Sequence, residues 1–147
     1  MDPTGGDIAT VITGRARVVG DNINTDYIIS SRRKRDSENA AQVVQYIFED
    51  LRPPLAESLR PGDIIVAGQN FGCGSAMEIA VEALLAAGIR AVVARSFART
   101  YYRNAINTGL LVIEAGTEAI REGDQLAITL GAVSRLRNET TSLAIDM

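Results

Sequence analysis

The sequence predicts an α/β domain with a parallel sheet core, flanking helices, and extra β-strands supplied by both ends of the chain. Three observations carry that reading. Residues 64–67, 91–94 and 110–113 are short, wholly apolar runs of the kind found in strands buried on both faces. Residues 76–87 and 97–107 lie between those runs and read as helices, stopped by Gly88 and Gly109. Strand–helix–strand–helix–strand with short turns is the order of parallel strands joined by crossovers.

The other elements follow in chain order. Residues 8–20 alternate well enough for a strand, and Gly20-Asp21-Asn22 is turn chemistry. Tyr27-Ile28-Ile29 reads as a short extended piece. Val43, Ile47 and Leu51 share a helical spacing, so residues 39–50 read as a helix ended by Pro53-Pro54. Residues 125–130 and 142–145 are strand-like. No repeat or linker divides residues 1–147, which read as a single domain whose first seven residues, by composition, pack weakly.

Composition excludes several classes of function. The chain is 46% hydrophobic and 22% charged, ordinary for a globular protein. No apolar run approaches the ~20 residues that span a bilayer. The start, Met1-Asp-Pro-Thr-Gly-Gly, has neither the basic region nor the apolar core of a secretion signal, so a cytoplasmic location is expected. A net charge of −3 argues against electrostatic nucleic-acid binding. With one cysteine, Cys73, and no histidine, this chain cannot form an internal disulfide, a thiolate metal site, histidine-ligated zinc or a histidine-based triad. Any acid–base chemistry falls to Ser, Asp, Glu, Tyr, Lys or Cys, or to groups on a partner chain. The basic run Arg32-Arg33-Lys34-Arg35 is a solvated loop unless it lies beside an anion site.

The turn Gly68-Gln69-Asn70-Phe71-Gly72-Cys73-Gly74-Ser75 joins a buried strand to a helix at the carboxyl edge of the sheet, where ligands of open α/β sheets bind. Gly72 and Gly74 permit positive φ and close backbone approach to a ligand. Backbone N–H groups and the helix dipole there suit a phosphate or a carboxylate. A purely structural explanation competes: Ser75 and Glu78 have the spacing of a capping box, worth ~1 kcal/mol of helix stability. Cys73 reads as a small turn residue, since no basic partner lies near it in sequence.

Three segments, in order, resemble one family over about residues 14–125. Asn24-Thr25-Asp26-Tyr27-Ile28-Ile29 is similar to the Thr-Asp-X-Ile segment of the small subunits of 3-isopropylmalate dehydratase and homoaconitase, which correspond to the swivel domain of aconitase. Residues 68–75 resemble the family's Asn-Phe-Gly-X-Gly-Ser-Ser-Arg-Glu signature. Ala94-Arg-Ser-Phe-Ala-Arg-Thr-Tyr-Tyr-Arg-Asn-Ala-Ile-Asn-Thr-Gly109 resembles its Ser-Phe-Ala segment. The resemblance implies an aconitase swivel-like β/β/α fold. It also implies a hydro-lyase that removes a proton beside a carboxylate and expels hydroxyl from the adjacent carbon. A [4Fe-4S] cluster is implied in a separate large subunit, where it acts as Lewis acid, with no cofactor on this chain alone. The implied partners are that large subunit and a small carboxylate substrate, with no nucleic acid and no membrane.

Under the resemblance Ser75 falls on the serine that acts as base through its alkoxide, and Asp26 on an active-site aspartate that orients its neighbours. Asp26 also suits an Asx-type turn after Asn24. Arg33-Lys34-Arg35-Asp36 aligns with the family's substrate-selecting stretch, whose third residue is Arg35. With Arg33 it leans towards an anionic polycarboxylate, and a register shift would bring in Arg32 or Lys34. Thr25, Gly74 and Ser96 complete the candidates for substrate contact. Arg99, Arg103 and Asn104 follow the Ala91–Ala94 strand on the same sheet edge as Ser75. Arg99 and Arg103, spaced i, i+4, share a helix face open to the substrate but better suited to docking against the larger subunit or to solvent, while Phe97, Tyr101 and Ile106 read as core. The sequence departs from the signature at Ala76-Met77, where the family has Ser-Arg. A methionine cannot replace a guanidinium that grips a carboxylate. Either the substrate lacks that carboxylate, another cation reaches the same place, or the usual activity is lost. With Ser75, Asp26 and the glycine turn intact, a changed substrate is the expected consequence. A non-catalytic anion-binding or regulatory module, or a scaffolding partner, is the alternative.

Overall fold

A computed structural model of the chain describes residues 10–51, 55 and 57–147. Among the described residues seven strands form one sheet in the order β4-β3-β2-β1-β5-β6-β7. They are β1 (Thr10–Gly20), β2 (Ile64–Ala67), β3 (Ala91–Ala94), β4 (Leu111–Glu114), β5 (Gln125–Leu130), β6 (Arg135–Asn138) and β7 (Leu143–Ile145). The helices are α1 (Thr25–Ile28), α2 (Ser31–Arg35), α3 (Ala40–Val43), α4 (Ile79–Ala86) and α5 (Arg99–Thr108). Strands β1 to β4 pair in parallel, as the strand–helix alternation predicts, and β1, β5, β6 and β7 pair antiparallel.

The long strand β1 belongs to both halves. Its first part, through Arg15, pairs with β5, and from Ala16 onward it pairs with β2. Every residue of β2 and β3 is buried, and the pleat divides them between two cores. Ile65, Ala67, Val92 and Ala94 pack with Ile28, Val43, Phe48, Leu84 and Tyr101 on the helix side. Ile64, Val66, Ala91 and Val93 pack with Ile12, Leu126, Ile128 and Leu136 as the sheet curls round on its other face. The layering is that of the expected β/β/α domain, with helices gathered on one side. Among the described residues no helix is long and apolar enough to cross a membrane.

Several elements differ from the sequence reading. Residues 27–29 do not form a strand: the Asn24 side chain accepts the Asp26 N–H and starts the one-turn helix α1, and only Ile29 is extended. The helix expected over 39–50 stops at Val43 and tightens into a 3₁₀ turn, Val44–Tyr46. Phe48 then takes φ +57 and gives its N–H to the Ile28 carbonyl at 3.0 Å, so a tertiary bond replaces the helical one. Val43 and Ile47 are buried as their spacing implied, whereas Pro53-Pro54 and residues 1–9 lie outside the described residues. Helix α4 begins at Ile79 rather than 76, with Glu78 at its cap making no side-chain bond, so the Ser75–Glu78 capping box does not form. The basic run sits on helix α2, not in a loop. Strand β6 escaped prediction because Arg135-Leu136-Arg137-Asn138 offers a single apolar residue.

A buried ionic cluster ties β1 to the start of β2. Arg17 and Asp63 are each 4% exposed and meet at 3.2 Å, while Arg17 also reaches Glu122 at 2.7 Å. Burial alone would raise the Asp63 carboxyl. Hydrogen bonds from Arg15, the Arg60 N–H and Arg17 outweigh it and hold the group below its usual value. A lowered carboxylate contributes stability above its unfolded pKa of about 4 and loses that contribution as pH falls through the lowered folded value. Asp63→Asn is therefore expected to reduce the unfolding free energy at neutral pH by about 2 kcal/mol, the scale of a lost charge-assisted hydrogen bond, since Arg17 loses Asp63 but keeps Glu122 and Ser58. In denaturant titrations over a pH series, the gap from wild type should shrink as the solution is taken below about pH 4.

Candidate active site

Strands β1, β2 and β3 end along one carboxyl edge, and the chain beyond each end continues to pair. Gly68 N donates to Gly20 O at 2.8 Å and Arg95 N to Gly68 O at 2.9 Å. One step further, Asn24 bridges Cys73 and Phe71 bridges Phe97, both in parallel register. Three loops, 21–25, 69–75 and 95–98, thus form a short second tier above the sheet, and the candidate residues Thr25, Asp26, Gly74, Ser75 and Ser96 gather on or beside it.

The two glycines are needed for that tier. Gly72 has φ +85, and a Cβ there would stand 2.2 Å from the Tyr101 ring. Gly74 has φ +94, and a Cβ there would stand 2.6 Å from the Asn24 amide. The Tyr101 ring is buried, packs edge-on to Phe71 at 5.3 Å, and donates its hydroxyl to the Ala80 carbonyl at 3.1 Å. Burial pushes its phenol far above the ordinary value, so it stays protonated and structural. Tyr101 is core, as its sequence position suggested. Phe97 is half-buried, and Ile106, also read as core, is 54% exposed.

Ser75 is exposed at the end of this loop. Its carbonyl accepts the Thr25 hydroxyl at 2.8 Å, and the Thr25 N–H donates to the Cys73 carbonyl at 2.8 Å. Thr25 is buried, so its role within this chain is to pin the loop on both sides of Gly74. The Ser75 hydroxyl, and the backbone N–H groups of Gly74, Ser75, Ala76 and Met77, have no hydrogen-bond partner among the described residues. These groups are unspent donors. The dipole of α4 lies further away than the sequence implied, because the helix starts four residues after Ser75.

Asp26 is exposed and accepts both the N–H and the hydroxyl of Ser31, at 2.8 and 2.7 Å. Those bonds hold its carboxyl below the usual range, so it is ionised at neutral pH and fixes the start of α2. The Asx turn belongs to Asn24 instead. Ser96 accepts the Asn70 N–H on its hydroxyl at 2.8 Å, serving the tier. Within the basic helix, Arg33 bonds Glu49 at 3.1 Å and lies 3.8 Å over the Tyr46 ring. Arg35 is exposed and has no ion pair among the described residues.

Two hollows lie along this stretch, and Ser75 lines the smaller of them. A cavity of about 110 Å³ has Ser75, Gly74, Met77, Arg99 and Tyr101 in its walls. A broader groove of about 880 Å³ shares Ala76 and Asn104 with it, and is also lined by Lys34, Glu78 and Glu82. Of the basic helix, Lys34 lines this groove, whereas Arg33 and Arg35 line neither hollow. Arg99 reaches the small cavity and Arg103, one turn on, does not. Position on the sheet edge flagged both arginines in the sequence, but spacing alone could not tell them apart. A [4Fe-4S] cluster does not fit the donor set here: it needs several cysteine thiolates and the chain has one cysteine. Among the described residues no group of three or more His, Cys, Asp or Glu could hold a metal ion.

Residues 16–118 match the family described as the aconitase C-terminal domain. The chain is 48% identical over 120 residues to a 3-isopropylmalate dehydratase small subunit of Archaeoglobus fulgidus, covering 82% of this chain and 73% of that one. It is 47% identical over 130 residues to the methanogen homoaconitase small subunit of Methanothermobacter thermautotrophicus, covering 88% of this chain and 75% of that one. A crystal structure of 3-isopropylmalate dehydratase from Methanocaldococcus jannaschii superposes with a TM-score of 0.88 at 39% identity, over 93% of this chain and 81% of that one.

The pinning role of Thr25 has a measurable consequence. Thr25→Val should lower stability by about 1 kcal/mol in denaturant titration, from the lost hydroxyl donor to the Ser75 carbonyl, and Thr25→Ser should recover most of it.

Proposed function

This chain belongs to the aconitase C-terminal domain family, and from that membership we propose that it is the small subunit of an aconitase-type hydro-lyase in which Ser75 is the base. The observation that carries the proposal is the setting of Ser75. Its hydroxyl is unspent, it adjoins a cavity, and it rides a glycine loop pinned by Thr25. The substrate is an alkylmalate-like hydroxy polycarboxylate, the class to which the names of the relatives point. The remaining part of the site belongs to a large subunit, which also carries the [4Fe-4S] cluster used by aconitase-type enzymes, because the thiolates it needs are not in this chain. The assembly works in the cytoplasm.

In the elimination, the Ser75 alkoxide takes the proton from the carbon next to a carboxylate and becomes the hydroxyl. The electron pair of that C–H bond forms the C=C bond, and the C–O bond on the adjacent carbon breaks, releasing the hydroxyl as water once it is protonated. A serine is a poor base in water, so its alkoxide needs a preorganised field of donors. The free N–H groups of residues 74–77 supply part of that field from this chain. Asp26, anchored to Ser31, orients α2 and brings Lys34 to the groove beside Ala76. Arg35, exposed at the end of α2, is available to a distal carboxylate of the bound acid. The Ala76-Met77 pair makes this part of the site less polar than the family signature, which favours a substrate other than the usual one.

Reconstituting the chain with its large subunit and assaying a panel of 2-hydroxy and alkylmalate-like acids tests the assignment. Ordinary turnover of 3-isopropylmalate or homocitrate would sink the changed substrate, and the variant is read on whichever acid the pair turns over. Ser75→Ala should cut kcat at least about 100-fold, the usual scale for a lost general base, while the affinity for the acid stays within a few-fold. Unchanged kcat in this variant would sink the assignment.

A further inference from the structure

We propose that Arg99 binds a substrate carboxylate in the cavity beside Ser75 and sets which acids the enzyme accepts, an inference that rests on the hydro-lyase reading. The cavity of about 110 Å³ has room for a few water-sized groups, so it takes one arm of a polycarboxylate rather than the whole molecule. Its walls are unequal. Met77 is buried and apolar, the Tyr101 hydroxyl is committed to the Ala80 carbonyl, and the Thr25 hydroxyl to the Ser75 carbonyl. Arg99 is the one cation among the residues lining it.

Arg99 is the first residue of α5, directly after Ala98, whose N–H is bonded to the Phe71 carbonyl at 2.9 Å. The second tier therefore fixes the backbone that carries Arg99 relative to the loop that carries Ser75. Its guanidinium has no ion pair or hydrogen bond among the described residues, in contrast to Arg15, Arg17, Arg32, Arg33 and Arg95, all of which are paired. An unspent planar fork on a residue that lines the same cavity as Gly74, Ser75, Ala76 and Met77 is suited to bidentate capture of a carboxylate. Such capture would hold the neighbouring C–H of the acid close to the Ser75 oxygen, and the guanidinium would add positive charge that favours the Ser75 alkoxide before it takes the proton.

The test uses the reconstituted pair with Arg99→Gln, Arg99→Lys and, as a control on the same helix, Arg103→Gln, whose side chain lines neither hollow. Arg99→Gln should raise KM for the acid the pair turns over by about 10- to 100-fold, the worth of charge-assisted hydrogen bonds. Arg99→Lys should fall between that variant and wild type, because it keeps the charge and loses the fork. Arg103→Gln should leave KM unchanged. Binding is read separately by titrating 3-isopropylmalate and homocitrate into the Ser75→Ala pair with and without Arg99→Gln, and the second substitution should weaken affinity by the same factor. Wild-type KM and unchanged affinity for Arg99→Gln, alongside loss of turnover in Ser75→Ala, would overturn the role of Arg99 and leave the hydro-lyase reading standing. Full turnover by Ser75→Ala would instead remove the reading on which the inference rests.

Discussion

Two hydrogen bonds from Thr25, one from its backbone N–H to Cys73 O and one from its hydroxyl to Ser75 O, are the constraint on which the site depends. They hold the loop that bears Ser75 against the start of α1, and through Asp26 and Ser31 the same segment sets the direction of α2. Gly72 and Gly74 make the arrangement possible by letting the loop lie against the Tyr101 ring and the Asn24 amide with no side chain between. The loop is fixed from below by the parallel sheet and from the side by Phe71, which packs with Phe97 and Tyr101. What is left unbonded after all this is Ser75 Oγ and the adjoining N–H groups. A well-braced loop with unspent donors at its tip is a preorganised site, because its polar groups need little reorganisation when charge develops.

Much of this was legible in the residues. The apolar runs at 64–67 and 91–94 are buried on both faces and needed no tertiary information to identify, and Gly88 and Gly109 stop α4 and α5 with the positive φ expected of them. The segments that misled are those in which a local cap or a tertiary bond overrode the preference of the run. Tyr27-Ile28-Ile29 has β-branched residues, yet the Asn24 cap turns it into a helix. Phe48 leaves the helical path because the Ile28 carbonyl is a better acceptor at that place. Ser75 and Glu78 have capping-box spacing, but the Thr25 hydroxyl holds the Ser75 carbonyl and the helix starts later.

The charged residues illustrate the limit more sharply. Arg33 and Arg35 looked like one cluster aimed at one ligand. Arg33 is spent on Glu49 and Tyr46, Arg35 stands free in solvent, and Lys34 is the member that lines the groove. Side-chain direction on a short helix depends on what packs beneath it, and no sequence pattern contains that. Thr25 and Ser96 read from sequence as substrate contacts, and within this chain both act as braces. The site that emerges has a braced serine, a cationic side in Lys34 and Arg99, and an apolar patch at Ala76 and Met77 where the family signature carries an arginine. That combination is consistent with an unaltered reaction on an altered acid.

The measurement that tests the central claim most directly is exchange of the acid's abstractable C–H for deuterium, followed by proton NMR in deuterium oxide with the assembled pair. If Ser75 is the base, the wild-type pair exchanges that proton and the Ser75→Ala pair does not, although it still binds the acid. Exchange at the wild-type rate in the absence of the Ser75 hydroxyl would contradict the account, since the proton would then be passing through a group outside the loop that Thr25 holds.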